Sequence, residues 1–106
     1  RMNMPTVIFD EIDTGVSGEI ADKMGRMMKE MAGLMQIITI THLPQVAGKG
    51  TRHYKVFKQD TDERTVSSVK ELTGEERVRE IAGMLSGERL TDAALEAARA
   101  LISNDQ

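Results

Sequence analysis

Residues 6–13, Thr-Val-Ile-Phe-Asp-Glu-Ile-Asp, form an apolar run that breaks off in carboxylates. Val7, Ile8 and Phe9 are β-branched or aromatic and follow Pro5, so the run reads as a short buried strand. A continuous apolar run, unlike an alternating one, suits a parallel strand covered by helices on both faces. Sheets of that kind take ligands in the crevice beyond the carboxyl ends of their strands. Asp10 and Glu11 leave the strand at that edge. Like charges side by side there repel and desolvate poorly unless they hold a cation or stay wet.

Two readings of the acidic tip follow. In a nucleotide site, Asp10 holds Mg²⁺ through water, because Mg²⁺ keeps several waters and uses one or two carboxylates plus phosphate oxygens. Glu11 then orients or deprotonates the water that attacks the γ-phosphate. In the plainer reading, Asp10 and Glu11 open a polar loop, with Asp13, Thr14 and Gly15 as turn residues.

The 106 residues are one domain's worth of chain, small for an α/β nucleotide enzyme. A net charge of −3 with no basic block offers no phosphate-backbone footprint of its own. The absence of cysteine excludes a disulfide framework and thiolate metal sites. No apolar stretch approaches a membrane span and no signal-peptide pattern opens the chain, so a cytoplasmic protein without membrane contact is expected. Because the chain begins at Arg1 almost directly on a strand, a fragment of a longer protein is expected too.

After the turn-rich residues 14–18, Ser17 is placed to cap a helix, with Glu19 favourable in its first turn. Ile20, Met24, Met27, Met28, Met31, Leu34 and Met35 recur at helix-face spacing. With eight methionines in the chain, this stripe is expected to be core packing. Residues 36–41 are a second strand, β-branched at nearly every position, ending at His42. Strand, helix and strand so close together make a βαβ unit with parallel strands. His42 therefore falls at the same edge as Asp10 and Glu11. Pro44 suits the first position of a short helix that Gly48 and Gly50 end.

Residues 52–58 and 65–72 read as an antiparallel hairpin with one wet face, joined by a polar turn over 59–64. His53 sits mid-hairpin and reads as structural. Thr73 and Glu76 have capping-box spacing. A helix face of Val78, Ile81, Ala82 and Leu85 follows, closed by Ser86 and Gly87. Thr91 or Asp92 starts a last helix carrying Ala94, Leu95, Ala98, Leu101 and Ile102, with residues 103–106 expected to fray.

Asp10, Glu11 and His42 at two neighbouring strand tips make a joint signal. A histidine there is placed to bond the γ-phosphate or the attacking water, and so to sense tri- against diphosphate. The segment from Thr6 through Asp-Glu-Ile-Asp-Thr-Gly-Val-Ser-Gly, together with Thr-His-Leu-Pro-Gln-Val-Ala, closely resembles the C-terminal part of the RecN family. These are bacterial DNA double-strand-break repair ATPases of the SMC and ABC class. The resemblance runs through the hairpin and the Ala-Gly-Met-Leu-Ser-Gly helix, nearly the whole chain.

The resemblance implies a partial P-loop NTPase fold of the ABC/SMC head type. It makes residues 7–11 the Walker B strand, with Asp10 in the Mg²⁺ shell, Glu11 the catalytic glutamate and His42 the switch histidine. Asp13, Ser17 and Gln45 fall on the nucleotide side. Residues 13–17 correspond to the D-loop, which contacts the partner subunit in ABC dimers. The usual D-loop aspartate falls on Ser17, so a capping role competes with a cross-dimer one. ATP and Mg²⁺ are the implied ligands, DNA and a second head the implied partners, and the nucleoid the implied location.

No Gly-x-x-x-x-Gly-Lys-Ser/Thr loop and no Leu-Ser-Gly-Gly signature occurs in the chain. The family places both upstream, so the chain is expected to be the C-terminal part of a head. Residues 36–41 should then expose an open strand edge, and the chain alone should not hydrolyse ATP. Two rivals remain. Asp-Glu-Ile-Asp also matches a helicase Asp-Glu-x-Asp motif, but residues 41–43 lack the Ser-Ala-Thr-like tip that class needs. A non-catalytic module binding DNA or another partner through the hairpin and C-terminal helices is the other.

Overall fold

The computed structural model describes residues 5–10, 15–16, 18–87 and 89–103. The apolar run forms β1 (Thr6–Asp10), followed by α1 (Gly18–Met31) and β2 (Gln36–Ile40). β1 and β2 are parallel, in a register that pairs Val7 with Ile37, Ile8 with Ile38 and Asp10 with Ile40. Thr6 Oγ1 donates to Gln36 Oε1 at 2.9 Å across the start of the pair.

The two strands are less buried than their sequence suggests. Val7, Phe9, Ile37 and Thr39 are half-buried on one face, and Thr39 Oγ1 donates to Met28 Sδ of α1 at 3.4 Å. Ile8, Ile38 and Ile40 point to the opposite face, where Ile8 is 62% exposed. Among the described residues that face has no covering helix. The continuous apolar pattern is that of a sheet covered twice, and this chain covers it once.

The same asymmetry corrects the methionine stripe. Only Ala21, Gly25 and Met28 of α1 are buried, a narrow seam at i, i+4 and i+7. Met24 and Met31 are half-buried, Ile20 and Met27 are exposed, and Leu34, in the turn after the helix, is 76% exposed. Ser17, the expected cap of α1, lies outside the described residues, as do Glu11, Asp13 and residues 104–106.

The single turn α2 (Pro44–Ala47) begins just after His42, with Pro44 in its first turn. β3 (His53–Asp60) and β4 (Thr65–Leu72) form a separate antiparallel hairpin in which Val56 faces Val69. β3 runs two residues further than expected. The turn is accordingly tighter, closed by Thr61 N–H and Oγ1, which both donate to the Arg64 carbonyl at 2.8 and 2.7 Å. The hairpin does have one wet face, yet that face carries Tyr54, Val56 and Val69, while His53, Phe57, Val66 and Leu72 are turned inward.

α3 (Gly74–Ser86) and α4 (Asp92–Ser103) complete the chain. Thr73 is the N-cap residue of α3, but its side chain makes no capping bond. Glu76 pairs instead with Lys70 Nζ at 2.7 Å while also bonding the Thr73 backbone, so the capping box is half formed. Thr91 Oγ1 does cap α4, accepting from Ala94 N–H at 3.0 Å. Gly87 turns the chain between the helices at φ 76°, a conformation that glycine adopts without a Cβ clash. The core lies between α3 and α4: Val78, Ile81, Ala82, Ala94 and Ala98, with Ala47, Met84, Leu95, Leu101 and Ile102 against them. Arg99 of α4 grips Glu75 of α3 with two bonds of 2.7 and 3.3 Å.

Candidate functional site

The parallel register decides where the polar tips lie. Asp10 is the last residue of β1 and stands opposite Ile40, so His42, two residues past Ile40, emerges beyond the same carboxyl edge. Both residues are exposed. Among the described residues the Asp10 carboxylate has no hydrogen-bond or ion-pair partner. A hard, free carboxylate at a sheet edge fits Mg²⁺, which asks for one or two such oxygens and water for the rest. No group of three or more His, Asp or Glu side chains converges among the described residues.

The segment after β2 is held stiffly. Leu43 N–H donates to Thr41 Oγ1 at 3.0 Å, and Val46, Ala47 and Gly48 N–H close back on Leu43 and Pro44 carbonyls at 2.9–3.1 Å. α2 packs against α1 across Gly25, where a Cβ would come within 3.0 Å of the Gln45 carbonyl and of Lys49 Cγ. Gln45 itself is half-buried, its amide nitrogen beside Gly18 at the start of α1. Gly48 sits equally close to Leu101 of α4.

Charged residues that no local motif singles out complete this frame. Lys49 is 8% exposed and pairs with Asp22 of α1 at 3.4 Å. Asp22 also accepts from Arg26. The Arg26 bond, helped by the charge of Lys49, holds the Asp22 carboxyl below the usual carboxylate range against the opposing effect of desolvation. Arg77, reaching in from α3, brings Nη2 to the carbonyls of Ala47, Gly48 and Gly50 at 3.1, 3.3 and 2.6 Å. These partners lie 27–30 residues away in sequence, so no local pattern announces them.

His53 lies beside this network, half-buried, and its Nδ1 has no partner among the described residues. Desolvation pushes its pKa below the ordinary imidazole value, the charge of Arg77 pushes it further, and Glu80 partly opposes both. Glu80 is itself paired with Lys55 Nζ at 2.9 Å, tying the hairpin to α3. Between the outer edge of β2 and the start of β3 runs an open cleft of about 850 Å³, lined by residues 36–42 on one side and 53–56 on the other. The edge expected to be open is open: β2 pairs with β1 alone among the described residues.

The arrangement of parallel pair, hairpin and closing helices is the fold of an SMC-type ATPase head. It superposes with a TM-score of 0.62 on a chain from work on the ATP-driven dimerization and DNA-stimulated activation of SMC ATPases, at 21% identity, covering 80% of this chain and 50% of that one. In sequence the chain is RecN-like, similar to the C-terminal part of the DNA repair protein RecN. It is 47% identical to RecN of Rickettsia conorii over 102 residues, 48% identical to that of Deinococcus radiodurans over 99, and 43% identical to that of Xylella fastidiosa over 103. These matches cover 93–97% of this chain but only 17–19% of each relative. No family model matches the chain.

Proposed function

We propose that this chain supplies the carboxylate and histidine edge of the ATPase head in a longer RecN-like protein of DNA double-strand-break repair and recombination. The observation that supports the reading is the β1–β2 register, which brings the Asp10 tip and His42 to one sheet edge. In this reading residues 7–11 are the Walker B strand. Asp10 would hold Mg²⁺, which when bound would supply neutralisation of the charge developing on the phosphate oxygens.

Glu11 accepts a hydrogen bond from the attacking water and takes its proton. His42 donates to the γ-phosphate edge, so that its position reports whether that phosphate is present. Asp13, Ser17 and Gln45 stand on the nucleotide side, with residues 13–17 facing the partner in a dimer of heads. The phosphate loop comes from outside this sequence, on a strand that pairs with the open edge of β2. DNA, ATP and a second head are the partners, and the protein works in the cytoplasm at the nucleoid. No described helix is long and apolar enough to cross a membrane.

The test is ATP turnover by the longer protein, with and without DNA, comparing wild type with Glu11→Gln. Glutamine keeps the size and removes the basicity, so nucleotide binding persists while turnover falls by about 10²-fold or more. The 106-residue chain alone, whose sequence has no phosphate loop, is expected to show no turnover in the same assay. Wild-type rates in Glu11→Gln would move the function to partner binding by the hairpin and C-terminal helices.

A further inference from the structure

We infer that Arg77 is a positioning residue for His42, acting through α2, and the inference rests on the ATPase reading above. His42 is joined directly to Leu43, whose carbonyl accepts from Val46 and Ala47 N–H at 3.1 and 3.0 Å. From Leu43 to Gly48 the backbone is therefore one closed hydrogen-bonded unit, and a displacement of its far end tilts its near end. Arg77 holds that far end. Its Nη2 lies within 3.3 Å of three carbonyls, those of Ala47, Gly48 and Gly50. They are carbonyls where the turn runs out, of which that of Ala47 also accepts from Gly50 N–H at 3.3 Å, and a cation satisfies such acceptors well. Among the described residues Arg77 makes the only side-chain hydrogen bonds between α3 and residues 42–50.

The other supports of α2 constrain it differently. Gly25 and Gly48 fix how closely it approaches α1 and α4, through contacts on its sides. The Lys49–Asp22 pair ties its end to α1 over a longer 3.4 Å contact. None of these sets the direction of the carbonyls, and hence the roll of the turn, as the guanidinium does. Arg77 also pays a desolvation cost for its place: its Nε is buried without a partner among the described residues, and burial lowers its pKa. A half-buried guanidinium with one orphaned nitrogen is tolerated where its remaining bonds are strong. His42 is exposed and inherits its position from this unit. A shift of about 1 Å in a group that meets a reacting phosphate is enough to slow a reaction by about 10²-fold.

The experiment is a double-mutant cycle on ATP turnover in the longer protein, using Arg77→Met, Arg77→Lys, His42→Ala and the double variant Arg77→Met/His42→Ala, with Glu11→Gln as a control. Arg77→Met is expected to lower kcat about tenfold while KM for ATP stays within about twofold, because only the turnover step needs His42 in place. Arg77→Lys, which keeps a cation able to reach one or two carbonyls, is expected to recover to within about threefold of wild type. On the His42→Ala background, Arg77→Met is expected to cost less than about twofold more, since the group it positions is gone.

Unchanged kcat in Arg77→Met, or losses that multiply in the double variant, would overturn the inference. If Arg77→Met does not fold, Arg77→Lys carries the cycle, and a loss that persists undiminished on the His42→Ala background overturns it. Wild-type turnover in Glu11→Gln removes the ATPase reading and this inference with it. Abolished turnover in Glu11→Gln beside an unaffected Arg77→Met removes the inference alone.

Discussion

At the scale of single residues, polar groups divide into those whose partner is local and those whose partner is distant. Thr91 caps α4 as its spacing suggests, because the acceptor and the Ala94 N–H lie within one turn. Thr73 has the same kind of spacing, yet its side chain makes no capping bond, while Glu76 bonds the Thr73 backbone and also pairs with Lys70 of β4. His53 reads as structural in the sequence and is half-buried in the fold, but its electrostatic setting depends on Arg77 and Glu80 of α3, and no sequence window shows that.

That setting makes a pH prediction. The folded pKa of His53 lies below its ordinary value of 6.5, so the unfolded chain takes up the proton first. The stability owed to neutral His53 is thus complete above about pH 6.5 and is lost as pH falls through its folded pKa. Asp22, Glu75 and Glu76, all with lowered carboxyl pKa values, add losses of the same sign below the ordinary carboxylate range. Urea unfolding of wild type and His53→Gln across pH 7 to 5 separates the two. The wild type should weaken relative to the variant over that interval, and parallel curves would mean that His53 titrates alike in both states.

At the scale of elements, the order of strands and helices was legible because periodicity and turn residues are local signals. The parallel pair, the hairpin and the two closing helices all stand where the sequence puts them. What was not legible is which side of each element is covered. The methionine stripe takes up one side of α1, and the α2 contact and the sheet bury Ala21, Gly25 and Met28 along its edge, of which Met28 alone belongs to the stripe.

Gly25 is the narrowest point of that contact, and two effects compete there. Replacing glycine by alanine inside a helix gains about 1 kcal/mol of propensity. Overpacking a close contact costs about 1–3 kcal/mol. Here the new Cβ would meet a backbone carbonyl, that of Gln45, at 3.0 Å, and α2 cannot retreat because Gly48 is already pressed on Leu101. Strain should win, and Gly25→Ala is expected to destabilise the chain by about 1 kcal/mol or more in urea unfolding. A stabilised variant would show that α1 and α2 slide apart freely, which would also weaken the case for α2 as a rigid carrier of His42.

At the scale of the whole molecule, the candidate site was legible as two polar strand tips, and its completion was not, because most of the surface around it is uncovered. The accessible surface is 7740 Å², whereas a compact monomer of this mass exposes about 5,900 Å². The radius of gyration, 15.0 Å, likewise exceeds the value of about 13 Å for a compact domain of this length. Exposed apolar side chains stand where the sheets are open, Ile8, Ile38 and Ile40 on one face of β1–β2 and Tyr54, Val56 and Val69 on the hairpin.

An apolar face of this kind beside an uncharged, β-branched edge strand invites association with other chains. Ile38→Lys tests whether the face is meant for solvent. Ile38 is 44% exposed in this chain, so the substitution should change its unfolding free energy by only about 0.5 kcal/mol. A lysine at the sheet face should also reduce self-association, seen as a smaller mass in light scattering and weaker binding of an apolar dye. In a longer RecN-like protein the same lysine should be far more damaging, because a charge buried without a partner costs several kcal/mol. A large loss of thermal stability there, beside a tolerant short chain, would mean that the face is an internal surface of the complete head. Equal tolerance in both would mean that the sheet stays uncovered in the longer protein, and that the strand carrying the phosphate loop does not bring a covering layer with it.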